Sequence, residues 1–102
     1  MIRVTVLYPN DDGTTFDHRY YLDKHMPLVA ERCGDALHSW TADKGVAGGE
    51  GARPPYHALC CLTFDSVEAF ESSFGPHADE ILGDIPNYTD APTVVQISEA
   101  RR

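Results

Sequence analysis

Hydrophobic and polar residues alternate over the first segment of the chain. The sequence IRVTVLY at 2–8 is rich in β-branched residues and predicts a strand that ends at Pro9. Segments 36–44 and 93–98 predict two further strands. The segment 56–64 is apolar at nearly every position except His57 and Thr63, which is typical of a strand covered on both faces.

The region 16–33 predicts a helix that Thr14 or Thr15 caps and Gly34 ends. Pro27 lies inside it. Because proline has no N–H and restricts the residue before it, the helix is expected to kink there.

A second helix is predicted after a cap at Asp65 or Ser66, and Gly75 with Pro76 ends it. A short turn or helix follows at 77–82. The stretch 45–55 holds four glycines and two prolines, which predicts a mobile connection.

The resulting order, βαββαβ, is typical of a ferredoxin-like α+β fold in which a four-stranded antiparallel sheet carries both helices on one face. Residues 1–102 are expected to form one domain. Because the third strand is apolar on both faces, we expect a second copy to cover the bare face and form a dimeric α+β barrel.

Composition excludes several classes of function. The net charge of −8 argues against nucleic acid, and no apolar stretch approaches the ~20 residues of a membrane span. The three cysteines form neither a disulfide framework nor a CxxC pair, and we expect a cytoplasmic protein. The chain lacks GxGxxG, a phosphate loop and metal-ligand histidine spacing, so neither a cofactor nor a metal is predicted.

His25 is the predicted catalytic residue, because a histidine beside a helix break titrates near neutral pH and can move a proton. The structural alternative is that His25 binds the carbonyls that Pro27 leaves without partners.

Four further residues are candidates for substrate binding, with packing or capping as the alternative for each. Tyr20 and Tyr21 are neighbours on the helix, so only one of them can point fully at the sheet. His77 follows a helix end and is a candidate cap. Tyr88 and Asp84 flank a Pro86–Asn87 turn, and we interpret both as structural anchors.

Several motifs together resemble the EthD family of small dimeric α+β barrel proteins. They are VTVLYPN at 4–10, FD at 16–17, YY at 20–21, KHMPLV at 24–29, FDSVEAF at 64–70, PH at 76–77, DIPNYT at 84–89 and VQISE at 95–99. The resemblance implies a homodimer. Members are often labelled reductases or oxidoreductases, and the wider superfamily includes polyketide cyclases, cofactor-free monooxygenases, lactone isomerases and haem-degrading enzymes.

The function expected from residues and resemblance is binding of a small hydrophobic or aromatic metabolite, with proton transfer by His25 in cyclisation, isomerisation or cofactor-free oxidation. Whether the chain is an enzyme stays open. One alternative is a non-catalytic accessory protein that binds such a metabolite in a catabolic or monooxygenase system. Another is a haem-binding relative in which His25, His57 or His77 is the axial ligand.

Overall fold

The predicted strands form one antiparallel sheet. The protein is described by a computed structural model that covers residues 1–101. The strands are β1 (Ile2–Pro9), β2 (Ser39–Lys44), β3 (Tyr56–Phe64) and β4 (Val94–Glu99), and they pair in the order β2-β3-β1-β4. Every pairing is antiparallel. The ferredoxin-like fold is therefore confirmed.

Four α-helices and a π-helical turn connect the strands. They are α1 (His18–Tyr20), the π-helical turn (Tyr21–His25), α2 (Met26–Cys33), α3 (Val67–Phe74) and α4 (Ala78–Asp84). Short 3₁₀ turns occupy Gly34–Ala36, Gly49–Gly51, Gly75–His77 and Ile85–Asn87. The second helical region is therefore longer than predicted, because α4 extends to Asp84.

The first helix begins later than its sequence pattern predicts. Asp17 caps α1 by accepting a hydrogen bond from the Tyr20 amide, so the prediction of Thr14 or Thr15 was wrong. Phe16 instead forms an isolated β-bridge with Thr89. The second helix is capped by Ser66, whose hydroxyl accepts from the Ala69 amide, as predicted.

The predicted kink at Pro27 takes the form of the π-helical turn just before it. The Met26 amide donates to the Tyr21 carbonyl, five residues back instead of the usual four. Pro27 has no amide hydrogen to offer to the carbonyl of Asp23. The wider turn therefore carries the chain into α2, and the break lies at 21–25.

The core lies between the helices and one face of the sheet. Along β3, Ala58, Cys60, Leu62 and Phe64 are buried on this face, while the alternate residues from Leu59 to Thr63 are half-buried on the other. None of the described helices is long and apolar enough to cross a membrane.

The connection between β2 and β3 is tied to the turn after β1. Arg53 donates to Asp12 Oδ1 and to the Asn10 carbonyl, and Asn10 Nδ2 donates to the Pro54 carbonyl. Gly45 is required at its start, since a Cβ there would lie 2.1 Å from the Tyr56 carbonyl oxygen.

Candidate functional site

The π-helical turn brings His25 into the core. Tyr21 and His25 are both buried in this turn, and their rings stack with centroids 5.7 Å apart and planes 14° apart. π-helical turns occur frequently at functional sites, where the extra residue re-aims a side chain. Here the turn presents His25 to the helix-covered face of the sheet.

His25 is paired with a carboxylate from the other end of the helical layer. Its Nδ1 lies 2.9 Å from Asp84 Oδ2, and the side chains are 5% and 14% exposed. Burial lowers the pKa of His25 below its ordinary value, although Asp84 opposes that shift. His25 is therefore neutral near pH 7, with Nδ1–H donating to Asp84 and Nε2 unprotonated.

Asp84 accepts three hydrogen bonds. Besides His25, the Tyr20 hydroxyl donates to Oδ1 at 2.6 Å and Asn87 Nδ2 donates to Oδ1 at 3.0 Å. Burial raises the pKa of Asp84, but these three hydrogen bonds outweigh burial and hold it below its ordinary value. Asp84 is therefore an ionised carboxylate that fixes the tautomer and the orientation of His25.

A cavity of about 210 Å³ lies beside His25, between the sheet and the helices. Its lining is formed by Val6, Tyr8, His25, Met26, Val29, Cys60, Leu62, Phe70, Phe74, Ile81, Leu82, Ile85, Thr93 and Val95. Leu82, Thr93 and Val95 are exposed and mark its mouth, whereas Tyr8 and His25 lie on its buried side.

This cavity is apolar, and its polar groups are few. No lysine, arginine or carboxylate is found among its described lining residues. His25 Nε2 makes no hydrogen bond with the described residues, so it is the nitrogen available to a molecule in the cavity. The arrangement offers a neutral base in surroundings that favour an uncharged hydrophobic ligand.

Three buried tyrosines pack together beside His25: Tyr21 and Tyr88 contact its ring, and Tyr8 contacts both of them. The hydroxyls of Tyr8 and Tyr88 lie 2.7 Å apart, and the Tyr88 ring lies 4.7 Å from the His25 ring. Burial raises the pKa of Tyr8 to about 12 and also raises those of Tyr21 and Tyr88. All three phenols are therefore protonated hydrogen-bond donors at neutral pH.

The predicted site residues separate into two groups. Tyr21 and Tyr88 are buried against His25. Tyr20 is only half-buried, stacks on Tyr88 and donates to Asp84, so Tyr21 is the more deeply buried of the two neighbouring tyrosines, in agreement with the expectation that only one points fully at the sheet. Of the five predicted residues, the cavity lining contains His25 alone.

The remaining histidines lie elsewhere. His77 occupies the N-cap position of α4 without a side-chain capping hydrogen bond, and it is outside the cavity lining. His57 Nε2 contacts the Thr14 hydroxyl at 2.8 Å. Within residues 1–101, no group of three or more His, Cys, Asp or Glu side chains is placed to bind a metal ion.

Sequence reasoning missed two residues of this site, Asp84 and Tyr8. Asp84 is 59 positions from His25, so no local spacing links the pair. Its interpretation as a structural anchor was incomplete, since it also holds the histidine. The alternative in which His25 binds carbonyls freed by Pro27 was wrong, because Nδ1 binds Asp84. Tyr8 resembles an ordinary strand residue, and only its inward position on β1 marks it.

Comparison with known proteins gives the family. The EthD domain model matches residues 14–92. The crystal structure of an EthD-like protein from Ralstonia eutropha JMP134 is 48% identical, covers 99% of this chain and 94% of that chain, and has a TM-score of 0.91.

More distant structures share the fold. An ethyl tert-butyl ether degradation (EthD) family protein from Bacillus halodurans C-125 is 17% identical, with coverage of 98% of both chains and a TM-score of 0.67. A DABB family protein with a ferredoxin-like fold from Mesorhizobium loti MAFF303099 is 9% identical, with coverage of 99% and 97% and a TM-score of 0.62. No match was found among curated proteins. The chain belongs to the EthD family.

Proposed function

We propose that this protein is a small-molecule enzyme in which His25 transfers a proton to and from a neutral hydrophobic or aromatic substrate. The observation that carries the proposal is a buried histidine whose Nδ1 is bound to Asp84 and whose Nε2 has no hydrogen-bond partner among the described residues, beside an apolar cavity. Such a base suits cyclisation, isomerisation or cofactor-free oxidation, since each begins with loss of a proton.

The size of the cavity limits the substrate. An engineered cavity of about 150 Å³ lined by apolar side chains is known to bind benzene. At about 210 Å³, this cavity suits a substituted single ring or a small bicyclic molecule. The absence of cationic side chains from the described lining disfavours carboxylates and phosphates, whose charge would be left without a partner.

The test uses 5-nitrobenzisoxazole, a bicyclic carbon acid that needs only a base. Removal of its ring C–H proton breaks the N–O bond and releases a coloured cyanophenolate. We expect the wild-type protein to accelerate this elimination and His25→Asn to lose about 10²-fold while remaining folded. The rate should rise with pH and reach its plateau already at a pH below 6.5. The active form of His25 is unprotonated, and burial lowers the pKa of His25.

His38→Asn is the matched control, since His38 is exposed and outside the cavity lining. It should keep the wild-type rate. Equal rates for wild type and His25→Asn would contradict the proposal.

The apolar cavity also supports a second candidate, ligand binding without catalysis. Burial of an uncharged ring in such a lining is favourable by itself, at about 25 cal/mol per Å² of apolar surface. Native mass spectrometry of the purified protein would detect a retained molecule. Retention of the molecule together with no acceleration of 5-nitrobenzisoxazole would favour this accessory role.

The bare face of the sheet supports the proposal of a homodimer. Leu7 pairs with Leu59 on one side and with Val94 on the other, so these three residues form an apolar row across β3, β1 and β4. Val94 is 47% exposed in the single chain, and a second copy would bury the row. The three free cysteines support the proposal that the protein works in the reducing cytoplasm.

Sedimentation velocity tests the assembly. We expect a dimer at micromolar concentration, and Leu59→Asp should dissociate it by placing a charge in the interface. Leu22→Asp is the control, because Leu22 is 48% exposed and belongs to the helical side. A monomeric wild type would contradict the dimeric barrel.

A further inference from the structure

The Tyr8–Tyr88 pair has two hydroxyl hydrogens but only one hydrogen bond between its oxygens. Each hydroxyl carries one hydrogen, and a single hydrogen bond of 2.7 Å joins the two oxygens. No other described group lies within hydrogen-bond distance of either hydroxyl, and the neighbouring Tyr21 hydroxyl lowers the pKa of Tyr8, so it approaches Tyr8 as a donor and not as an acceptor. One O–H of the pair is therefore without an acceptor although both side chains are buried, at 1% and 3% exposure.

Tyr8 is the member of this pair that lines the cavity. When Tyr88 donates to Tyr8, the hydrogen of Tyr8 is the one left over, and it is available to a molecule in the cavity. Buried donors are normally paired, so an unused one beside a cavity indicates an acceptor atom in the ligand.

We infer that Tyr8 donates a hydrogen bond to a carbonyl oxygen of the substrate, which makes the substrate class a small neutral carbonyl compound with an acidic C–H next to the carbonyl. The inference rests on the proposed function of His25 and extends it. Both Tyr8 and His25 line the same cavity, so one molecule can contact both side chains.

The step is an enolisation. His25 Nε2 takes the proton from the carbon next to the carbonyl, and the electron pair of the C–H bond becomes a C=C bond. The π electrons of the carbonyl move to its oxygen, where the O–H of Tyr8 stabilises the negative charge. The proton returns from His25 to the same carbon, or to a conjugated one in an isomerisation, and no oxidant is consumed.

The buried tyrosines suit this role. Because burial raises the pKa of Tyr8 to about 12, the phenol keeps its proton at neutral pH and acts as a donor. The Tyr88 hydroxyl oxygen lies 2.7 Å from the Tyr8 hydroxyl oxygen, and this hydrogen bond holds the Tyr8 hydroxyl in place. Less reorganisation is then needed when negative charge develops on the carbonyl oxygen.

The probe for the experiment is 2-tetralone, a bicyclic ketone labelled with ¹³C at its carbonyl. Two quantities are measured, the infrared stretching frequency of the bound carbonyl and the rate at which its neighbouring C–H exchanges with D₂O by NMR. In the wild type we expect the frequency to lie below that of the ketone in hexane. Tyr8→Phe should abolish this difference and slow exchange by about 10²-fold.

Two further variants distinguish the loss of the Tyr8 hydroxyl from a general loss of structure. Tyr56→Phe changes a tyrosine outside the cavity lining and should match the wild type. Tyr88→Phe leaves the hydroxyl of Tyr8 in place and should keep the lowered carbonyl frequency. If Tyr8→Phe does not fold, the wild type still decides, because a frequency equal to that in hexane overturns the inference.

The outcomes distinguish the inference from the proposed function. If Tyr8→Phe leaves frequency and exchange unchanged, or if the ketone does not bind at millimolar concentration, the inference is overturned. Elimination of 5-nitrobenzisoxazole by His25 would then still support proton transfer. A carbonyl shift that depends on Tyr8 without any acceleration by His25 would support the donor contact and overturn the proposed proton transfer.

Discussion

Two histidine–aspartate pairs have almost the same N···O distance but differ in how deeply they are buried. His25 Nδ1 lies 2.9 Å from Asp84, and His38 Nε2 lies 2.8 Å from Asp65. The side chains of the first pair are 5% and 14% exposed, whereas those of the second are 42% and 72% exposed. The distance alone therefore does not distinguish a buried pair beside a cavity from a surface contact.

The difference lies in what surrounds each ring. His38 lies just before β2, where its amide donates to the Thr63 carbonyl, and its ring faces solvent. Even fully charged pairs on an exposed surface contribute little, with a median of about 0–1 kcal/mol. His25 is held by a carboxylate with two further donors and faces an apolar cavity. Burial and the hydrogen bond to Asp84 therefore suit His25 to the proposed role of a base.

The largest expected effect comes from Asp84→Asn. The amide can present its NH₂ to His25 Nδ1, which would move the ring proton to Nε2 and remove the base from the cavity. We expect elimination of 5-nitrobenzisoxazole to fall by about 10²-fold or more, as loss of an orienting carboxylate does in catalytic triads. Chemical denaturation should show a loss of about 1–3 kcal/mol from the weakened buried hydrogen bonds.

Asp65→Asn is the matched change in the exposed pair. It should leave the rate unchanged and the free energy of unfolding within about 0.5 kcal/mol of the wild type. Similar effects of the two substitutions would remove the distinction between the pairs.

The second expected effect is a pH dependence of stability to which His25 contributes, together with His18, whose pKa burial also lowers. The pKa of His25 in the folded protein lies below the unfolded value of 6.5, so folding favours the neutral ring. This contribution is complete above pH 6.5 and is lost as pH falls through the folded pKa. The free energy of unfolding should therefore decrease on acidification below pH 6.5, by at most about 1.4 kcal/mol per pH unit from His25.

His25→Asn should make this slope shallower than that of the wild type, because the buried ring is no longer there to bind a proton. Equilibrium urea unfolding between pH 5 and 8 measures both slopes, at roughly half-unit intervals chosen to bracket the ordinary histidine pKa of about 6.5. An unchanged slope in His25→Asn would show that the buried ring is not among the groups that titrate.

Tyr20→Phe is expected to have a smaller effect on the same pair. It removes the hydrogen bond of 2.6 Å from the Tyr20 hydroxyl to Asp84 Oδ1 but leaves Asn87 and His25 bound to that carboxylate. The rate with 5-nitrobenzisoxazole should fall by less than about tenfold, since one hydrogen bond of several is lost. A loss as large as that of Asp84→Asn would place Tyr20 in the chemistry itself.

The fold was predictable from the sequence because its signals are local. The period-two pattern of β1, the apolar run of β3 and the cap at Ser66 each lie within a few residues, and they define the ferredoxin-like order. The helix start at Asp17 was missed because Phe16 pairs with Thr89, a contact 73 positions away in sequence that no local rule contains.

The site was predictable only in part. His25 was selected from its place beside Pro27, and in the structure it lines the cavity. Asp84 and Tyr8 come from α4 and β1, which are distant from the π-helical turn in sequence and approach it only in the folded structure. Long-range packing therefore determines which residues complete the site.

The smallest expected effect concerns Tyr21, which stacks on His25 but adds no hydrogen bond to the pair. Its hydroxyl is buried without a partner among the described residues, so it bears a desolvation cost with no compensating bond. Tyr21→Phe keeps the ring that stacks on His25 at 5.7 Å and removes that cost. We expect thermal and chemical unfolding to show a stability equal to the wild type within about 0.5 kcal/mol, or a slight gain, with an unchanged rate. A clear loss of rate in this variant, with stability retained, would show that the unpartnered hydroxyl contacts the substrate and would extend the site from Asp84 and His25 to Tyr21.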